Sequence, residues 1–520
     1  VVYEVLDLRS GPQEREEILR KAENADLVLI ATFISVRTGG GSQMDRDHLR
    51  LLRLVSALPN PSVLVSFGNP YLVSELPETQ AAVLAWSGTD EQVVQTVPAL
   101  VGAAPVEGRL QVDIPGVALR GSGVRLPQTT LRVGTPESAG MRTDSLRRID
   151  ALIEASIRDS VFPGAALAVV RDGVLVYNKA YGYHEYSKTR KVETRTVYDL
   201  ASLTKVVATT SAVMKLVDQG RVGLDDPVGR YIPEFSDGEH AQVTIRHLLS
   251  HTSGLAPFRI YVDSIRTRDE IVNAVRNEPL EHAPGSRYVY SDLGFILLGE
   301  IVQAVDGRRL DRFVREELHL PLGMATAYFN PYQVGRWVGD LTVPTEVDEV
   351  YGRGVVRGRV HDERAYYMDG VSGHAGLFAG TRDLAIWATM IQNGGAYGGT
   401  QHLSRETVEL FTSLRDTVSG RGYGFDLKSR PNRAAGSRMG DLAFGHTGFT
   451  GTSIWMDPES KLTVILLTNR TWPNRSYGRA ITTVRGKVAD LVVGSLADGD
   501  DNATGARLRP APERVAAVRP

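Results

Sequence analysis

The chain has 520 residues, 59 basic and 61 acidic side chains for a formal charge of -2, and no cysteine. That length is more than one hydrophobic core usually serves, so at least two domains are expected. The near balance of interspersed charge removes the electrostatic argument for nucleic acid or an anionic membrane as a partner, and the lack of cysteine excludes disulfides, thiolate metal sites and a cysteine nucleophile.

The chain opens on Val1 in a strand-like run, with neither Met nor a signal-peptide pattern, and reads as a processed or truncated piece of something longer. Residues 1 to 115 alternate apolar runs with helical patterns: Ala25 to Phe33, a helix near Asp45 to Leu58, Ser62 to Phe67, Val83 to Trp86, and a helix near Glu91 to Leu100. Such alternation predicts a parallel α/β layer. Residues 116 to 133, with Gly121, Ser122 and Gly123 in sequence, read as a linker.

A second domain is expected over 134 to 495. It begins with a helix from Thr143 to Ser160 and a hairpin, Ala165 to Val170 and Val174 to Tyr177, turning on Asp172 and Gly173. A second hairpin, Thr452 to Met456 and Leu462 to Thr468, closes it, and most segments between the two look helical. The fold class is therefore α/β followed by α+β, the latter an antiparallel sheet with an inserted helical subdomain. The longest apolar runs, such as Leu462 to Leu467, fall far short of the roughly 20 residues of a membrane span. Residues 496 to 520, biased to Asp, Ala, Pro and Arg, are expected to be disordered.

Ser202, Leu203, Thr204 and Lys205 form the only Ser-x-x-Lys of the chain. They open a helix that is apolar on most faces, through Val206, Val207, Ala208, Ala212, Val213, Met214, Leu216 and Val217, and hence buried. The spacing puts hydroxyl and amine on one face, the helix start favours developing negative charge, and burial is expected to lower the Lys205 pKa toward that of a usable base. The plain alternative is a Ser cap with a solvent-reaching Lys. No Ser has Gly at both minus two and plus two, which excludes a nucleophile elbow. His247 and His251 have the spacing of a zinc helix, but Leu248 stands where such a site needs Glu, and no metal or other cofactor is expected.

Three further segments carry a resemblance: Tyr290, Ser291 and Asp292 ahead of an apolar helix; His446, Thr447 and Gly448 at the final hairpin; and His247 to Leu255. With Ser202 and Lys205 they resemble the serine β-lactamase and penicillin-binding protein superfamily. The likeness is to the side that holds class C β-lactamases, D-alanyl-D-alanine carboxypeptidases and family VIII carboxylesterases. The resemblance implies that Ser202 is acylated, that Lys205 and Tyr290 move its proton, and that the backbone N–H groups of Ser202 and Phe449 form the oxyanion hole. It also implies that Asp292, His446, Thr447 and Gly448 line the substrate.

Two positions depart from the family pattern. Asp292 stands where Asn is usual, and His446 where the β-lactamases have Lys. An anionic Asp292 is expected to repel a substrate carboxylate, and His446 to offer full charge only when protonated; a carboxylate that held His446 protonated would reverse the second expectation. Gly373 to Gly376 and Asn469 read as structural.

The first domain resembles the C-terminal α/β domain of glycoside hydrolase family 3, through Ser66 to Tyr71 and Gly108 to Pro115, with no pair of acids assignable to glycosidase chemistry. The implied function is a carboxylesterase with weak β-lactam hydrolysis. The alternatives are a D-alanyl-D-alanine carboxypeptidase and a non-catalytic cell-wall binding module. The expected partners are a small-molecule ester, a β-lactam or a cell-wall peptide, met by a protein exported to the bacterial periplasm.

Overall fold

A computed structural model of the chain describes residues 2–497 apart from 8, 35–43, 127–128, 262–263, 414–415, 429–432 and 476–477. The chain forms two compact units that divide between Thr129 and Thr130.

In the first unit three apolar runs become parallel strands, β1 (Val28–Phe33), β2 (Ser62–Phe67) and β3 (Ala81–Leu84), in the order β1-β2-β3. Helices α1 (Pro12–Glu23), α2 (Arg46–Ser56) and α3 (Asp90–Leu100) accompany them. The Asp45 carboxylate caps α2 by accepting from the Asp47 and His48 N–H groups, and α2 buries Leu51 and Val55 with Ile30, Leu64 and Leu72. Within the stretch expected as a linker, Leu126 exchanges backbone hydrogen bonds with Val106, and Ala118 pairs with Ile114.

The second unit is built on a seven-stranded sheet. Its strands are β4 (Arg132–Val133), β5 (Gly164–Arg171), β6 (Val174–Gly182), β7 (Asp426–Leu427), β8 (Phe444–Thr447), β9 (Ser453–Asp457) and β10 (Leu462–Thr468), in the order β7-β8-β9-β10-β5-β6-β4. All neighbours run antiparallel except β4 and β6. The turn between β5 and β6 has Asp172 and Gly173 both left-handed, at φ +47° and +70°, as a two-residue hairpin with the right twist requires.

Period-two alternation divides the core in two. Ala166, Ala168 and Val170 of β5 face one layer, with α5 (Ser211–Asp218), α6 (Asp292–Asp306) and α7 (Thr381–Gln392). Ala165, Leu167 and Val169 face the other, with the helices Arg148–Arg158 and Gly478–Val493, the latter called αC below. Each fully buried aliphatic side chain there contributes about 1.5–3 kcal/mol.

Two local expectations change. The helix expected from Thr143 to Ser160 is two helices that meet at Arg147. Leu496 and Ala497, expected at the start of the tail, are tied down, since Leu496 pairs with Met141 and the Ala497 N–H donates to the Gly140 carbonyl; the rest of that stretch, residues 498–520, lies outside the described residues.

Candidate active site

Ser202 sits in a 3₁₀ turn, Ala201–Leu203, that follows Asp199 of a short strand. Ala201 is held left-handed at φ +46°, with its N–H on the Asp199 carboxylate at 2.8 Å. Strain of this kind costs about 1–3 kcal/mol and persists only where the surroundings impose it. The chain continues through wide π turns over Lys205–Thr210 into α5. As the sequence led one to expect, the segment is sealed: Lys205 has no exposed surface, while Ser202 is partly exposed. The Lys205 ammonium donates to Ser202 Oγ at 3.1 Å, to Asp292 Oδ1 at 2.8 Å and to the His374 carbonyl at 3.2 Å.

Tyr290 and Asp292 arrive on the start of α6. Ser291 between them caps that helix, accepting from the Gly294 N–H and donating to the Ala256 carbonyl. The Tyr290 ring lies 4.4 Å from that of His251 and 6.1 Å from that of His446, centre to centre, with Lys205 Nζ 4.9 Å from its own centre. His251 Nδ1 accepts from the Ser291 N–H at 3.0 Å, so it is fixed as a packing and positioning group.

The expectation of a lowered Lys205 is overturned. Burial pushes the ammonium down, but the Asp292 charge and the Tyr290 hydroxyl outweigh it, and the net direction is up. Burial raises the Tyr290 phenol above its usual value, and the opposing Lys205 charge does not cancel that. At neutral pH the pair is therefore an ammonium beside a phenol, and it titrates as a unit.

Asp292 is not the free anion expected. Its second oxygen accepts from Arg364 Nη2 at 2.8 Å, and Arg364 also donates to Asp362 at 2.8 Å. Asp362 Oδ1 meets His374 Nε2 at 2.9 Å, and His374 Nδ1 meets Ser372 Oγ at 2.8 Å. Since the His374 carbonyl returns to Lys205, these groups close a ring. Burial pushes Asp292 up, but the Lys205, His374 and Arg364 side chains pull it down to about 2. The charge expected to repel a substrate carboxylate is thus neutralised from both sides.

Arg364, Asp362 and His374 are site residues the sequence reading missed, and the Gly373 to Gly376 stretch read as structural supplies part of the ring. Asp292, Asp362 and His374 each offer a donor atom within 4.8 Å of the others and could hold a metal ion. In this structure Lys205, Arg364 and the imidazole itself already take those carboxylate oxygens.

Strand β8 brings up the remaining residues. Thr450 and Thr452 beyond it donate their hydroxyls to the Asp199 and Leu200 carbonyls at 2.8 and 2.9 Å, tying the strand end to the segment before Ser202. Gly448 presses so closely that a Cβ there would collide with the Leu200 carbonyl and the Thr452 hydroxyl. Among the described residues the N–H groups of Ser202 and Phe449 have no hydrogen-bond partner. Thr447 is partly exposed and Phe449 exposed, the latter stacked under Arg470 at 4.5 Å.

His446 decides between the two expectations held for it. It is buried, its Nδ1 lies 2.9 Å from the Thr447 carbonyl, and burial, helped by the Arg421 and Lys205 charges against that of Asp426, lowers its pKa to about 4. It is neutral at pH 7, as its expected lack of full charge there requires, and the carboxylate-held imidazolium does not apply. Asn469, as expected, is structural, its amide donating to the His184 and Pro344 carbonyls.

A partly exposed Ser beside a buried Lys, a Tyr just ahead of a helix start facing them, and free N–H groups on the Ser and on the loop past β8 define a serine acyl hydrolase of the β-lactamase and penicillin-binding protein type. The family model named Beta-lactamase matches residues 149–488, and the chain belongs to that family. It is 33% identical over 394 residues to an Escherichia coli (strain K12) protein named "Putative D-alanyl-D-alanine carboxypeptidase", a match spanning 69% of this chain and 90% of the relative. It is 33% identical over 398 residues to the "N-acetylmuramyl-L-alanine amidase" of Bacillus subtilis (strain 168), over 67% of this chain and 90% of that protein. A penicillin-binding protein homologue from Caulobacter crescentus shares the fold, with a TM-score of 0.55 at 22% identity, over 69% of this chain and 99% of that one. Among the described residues no helix is long and apolar enough to cross a membrane.

Proposed function

We propose that the chain hydrolyses neutral acyl donors, carboxylic esters first, through a covalent ester on Ser202. Ser202 Oγ bonds to the acyl carbon as the bond to the leaving oxygen breaks. Its proton passes to the Lys205–Tyr290 pair and on to the leaving group, and water then releases the acid by the reverse relay. The free N–H groups of Ser202 and Phe449 take the oxyanion, and Asp292 holds the Lys205 ammonium in place. The observation that carries the ester preference is His446: a buried imidazole, held neutral, stands on β8 where the β-lactamases have Lys, so that position offers a substrate carboxylate no charge.

Because His446 stays neutral above about pH 5, the preference should not change between pH 5.5 and 8.5. p-Nitrophenyl butyrate should exceed both benzylpenicillin and a D-Ala-D-Ala peptide in kcat/KM throughout. Faster peptide turnover anywhere in that range would defeat the ester reading.

A second reading, cell-wall amide hydrolysis, is favoured by the names of the two curated relatives, and a muramoyl-L-alanine amide added to the same assay distinguishes it. The first unit, with its three parallel strands and the Ser66 to Tyr71 run, we take as a non-catalytic domain of the glycoside hydrolase family 3 C-terminal type.

The close approach at Gly448 gives a further expected result. Gly448→Ala should displace the strand end from Leu200 and lower ester kcat by about 10²-fold, the usual cost of a misplacement near 1 Å. Unchanged kcat in a folded variant would mean that Phe449 is not an oxyanion donor.

A further inference from the structure

The loop that follows β8 is backed by two buried guanidiniums. Arg485, on αC, donates through Nη2 to the Gly448 carbonyl at 2.7 Å and to the Thr452 carbonyl at 2.8 Å. Arg470 donates through Nε to the Phe449 carbonyl at 2.7 Å. They are 7% and 5% exposed, and among the described residues neither has a carboxylate partner.

This is an expensive arrangement. A buried charge without a counter-ion is destabilising by several kcal/mol, and burial together with Arg470 pushes Arg485 down to about 9. Around Arg485 the inner face of αC is aliphatic, with Ile481, Val484, Val488 and Val492, so an apolar residue would suit the packing better. Turn closure alone does not call for a cation either: the Gly448 carbonyl already accepts from the Gly451 N–H at 3.1 Å, and the Thr452 carbonyl from the Gly448 N–H at 2.7 Å.

The Gly448 carbonyl and the Phe449 N–H belong to one peptide group. A cation that draws electron density onto that oxygen leaves the N–H at the other end more positive, since hydrogen bonds through an amide polarise one another. In a low-dielectric setting the same charge also attracts an oxyanion directly.

We propose that Arg485 is a positioning residue of the oxyanion site: by holding and polarising the Gly448–Phe449 peptide it strengthens the Phe449 N–H as a donor to the tetrahedral intermediate. The proposal rests on the reading of Ser202 as nucleophile and Phe449 N–H as oxyanion donor. It adds a residue, 37 positions beyond Gly448, whose charge favours negative charge developing on the substrate oxygen.

The test uses the whole chain with p-nitrophenyl butyrate as substrate and phenylboronic acid as a probe that becomes tetrahedral on the serine oxygen. Removing an oxyanion donor outright costs about 10²–10³ in rate; weakening one without removing it should cost about tenfold. Arg485→Met should therefore lower kcat about tenfold with KM within about twofold, and weaken phenylboronic acid by a matching factor. Arg485→Lys, which restores the charge, should recover most of both.

If Arg485→Met does not fold, Arg485→Gln, which keeps an N–H donor without the charge, should show the same loss. A variant with a lowered Tm but unchanged kcat and boronate affinity would reduce Arg485 to a structural tie and overturn the proposal. The underlying reading is checked separately in the unaltered protein: if phenylboronic acid does not bind, or a fluorophosphonate does not label Ser202, that reading fails before Arg485 is tested.

Discussion

Ser202→Ala is expected to reduce ester turnover by at least about 10⁴-fold and to abolish the covalent adduct seen by intact mass after treatment with a fluorophosphonate. The size of the loss follows from how the parts are coupled. Lys205 and Tyr290 act on an oxygen that the variant lacks, and without its attack no tetrahedral adduct forms on residue 202 for the two free N–H groups to hold; members of such a unit are not additive when removed. Fold stability should change little, since Ser202 is partly exposed and its hydroxyl has the Lys205 ammonium as its donor, which keeps Asp292 and the His374 carbonyl as acceptors. An undiminished ester rate in the variant would end the assignment.

Asp292→Asn should change the pH profile more than any other substitution in the ring. In the unaltered protein Lys205 is held above its ordinary 10.5, with Asp292 as the largest raising influence. The ammonium–phenol pair must lose a proton before it can take one from Ser202, so kcat/KM should rise with pH and still be rising at pH 9. Without the carboxylate, burial is left to act on Lys205 and pushes it down. The rising limb should then move toward neutral pH, while its plateau falls because the ammonium loses its anchor. A profile that does not move would show that Lys205 is not the titrating group.

The same pair makes a stability prediction with a definite window. Asp292 is depressed, so its contribution is present above its unfolded value near 3.8 and lost as pH falls toward about 2. Lys205 is raised, so its contribution is present below 10.5 and lost as pH rises through its folded value. Asp292→Ala, which strands a buried ammonium, should cost about 3 kcal/mol between roughly pH 4 and 10 and less outside that window, as a pH series of thermal melts would show.

What could be read from the sequence was what local spacing encodes. The Asp172–Gly173 turn demanded two left-handed residues and has them; Ser202 and Lys205, three apart at the start of an apolar run, do meet. What could not be read depends on groups brought together from far along the chain. Asp292 looked like a free carboxylate because its second partner, Arg364, is 72 residues away, in a stretch with no motif of its own. His446 looked like a titrating substrate contact because its type gives a pKa near 6.5, and burial, with the Arg421 and Lys205 charges, lowers it to about 4. The direction of Lys205 failed for the same reason: burial alone says down, and the counter-ion that reverses it is a tertiary fact.

The register of the central sheet has a consequence for how the protein is made. β5 pairs with β10 from Ala165, opposite Thr468, to Arg171, opposite Leu462, so two adjacent strands are separated by about 300 residues of chain. On a ribosome the β5–β6 hairpin emerges early, with one edge unpaired, and must wait for nearly the whole domain before its partner exists. An unpaired edge of this kind is a template for joining other chains, and closing so long a loop before the pairing rewards it slows folding. The helix that bears Arg485 follows β10, so a chain halted before residue 485 would lack that guanidinium behind the Gly448 peptide even if every motif of the site had already been translated.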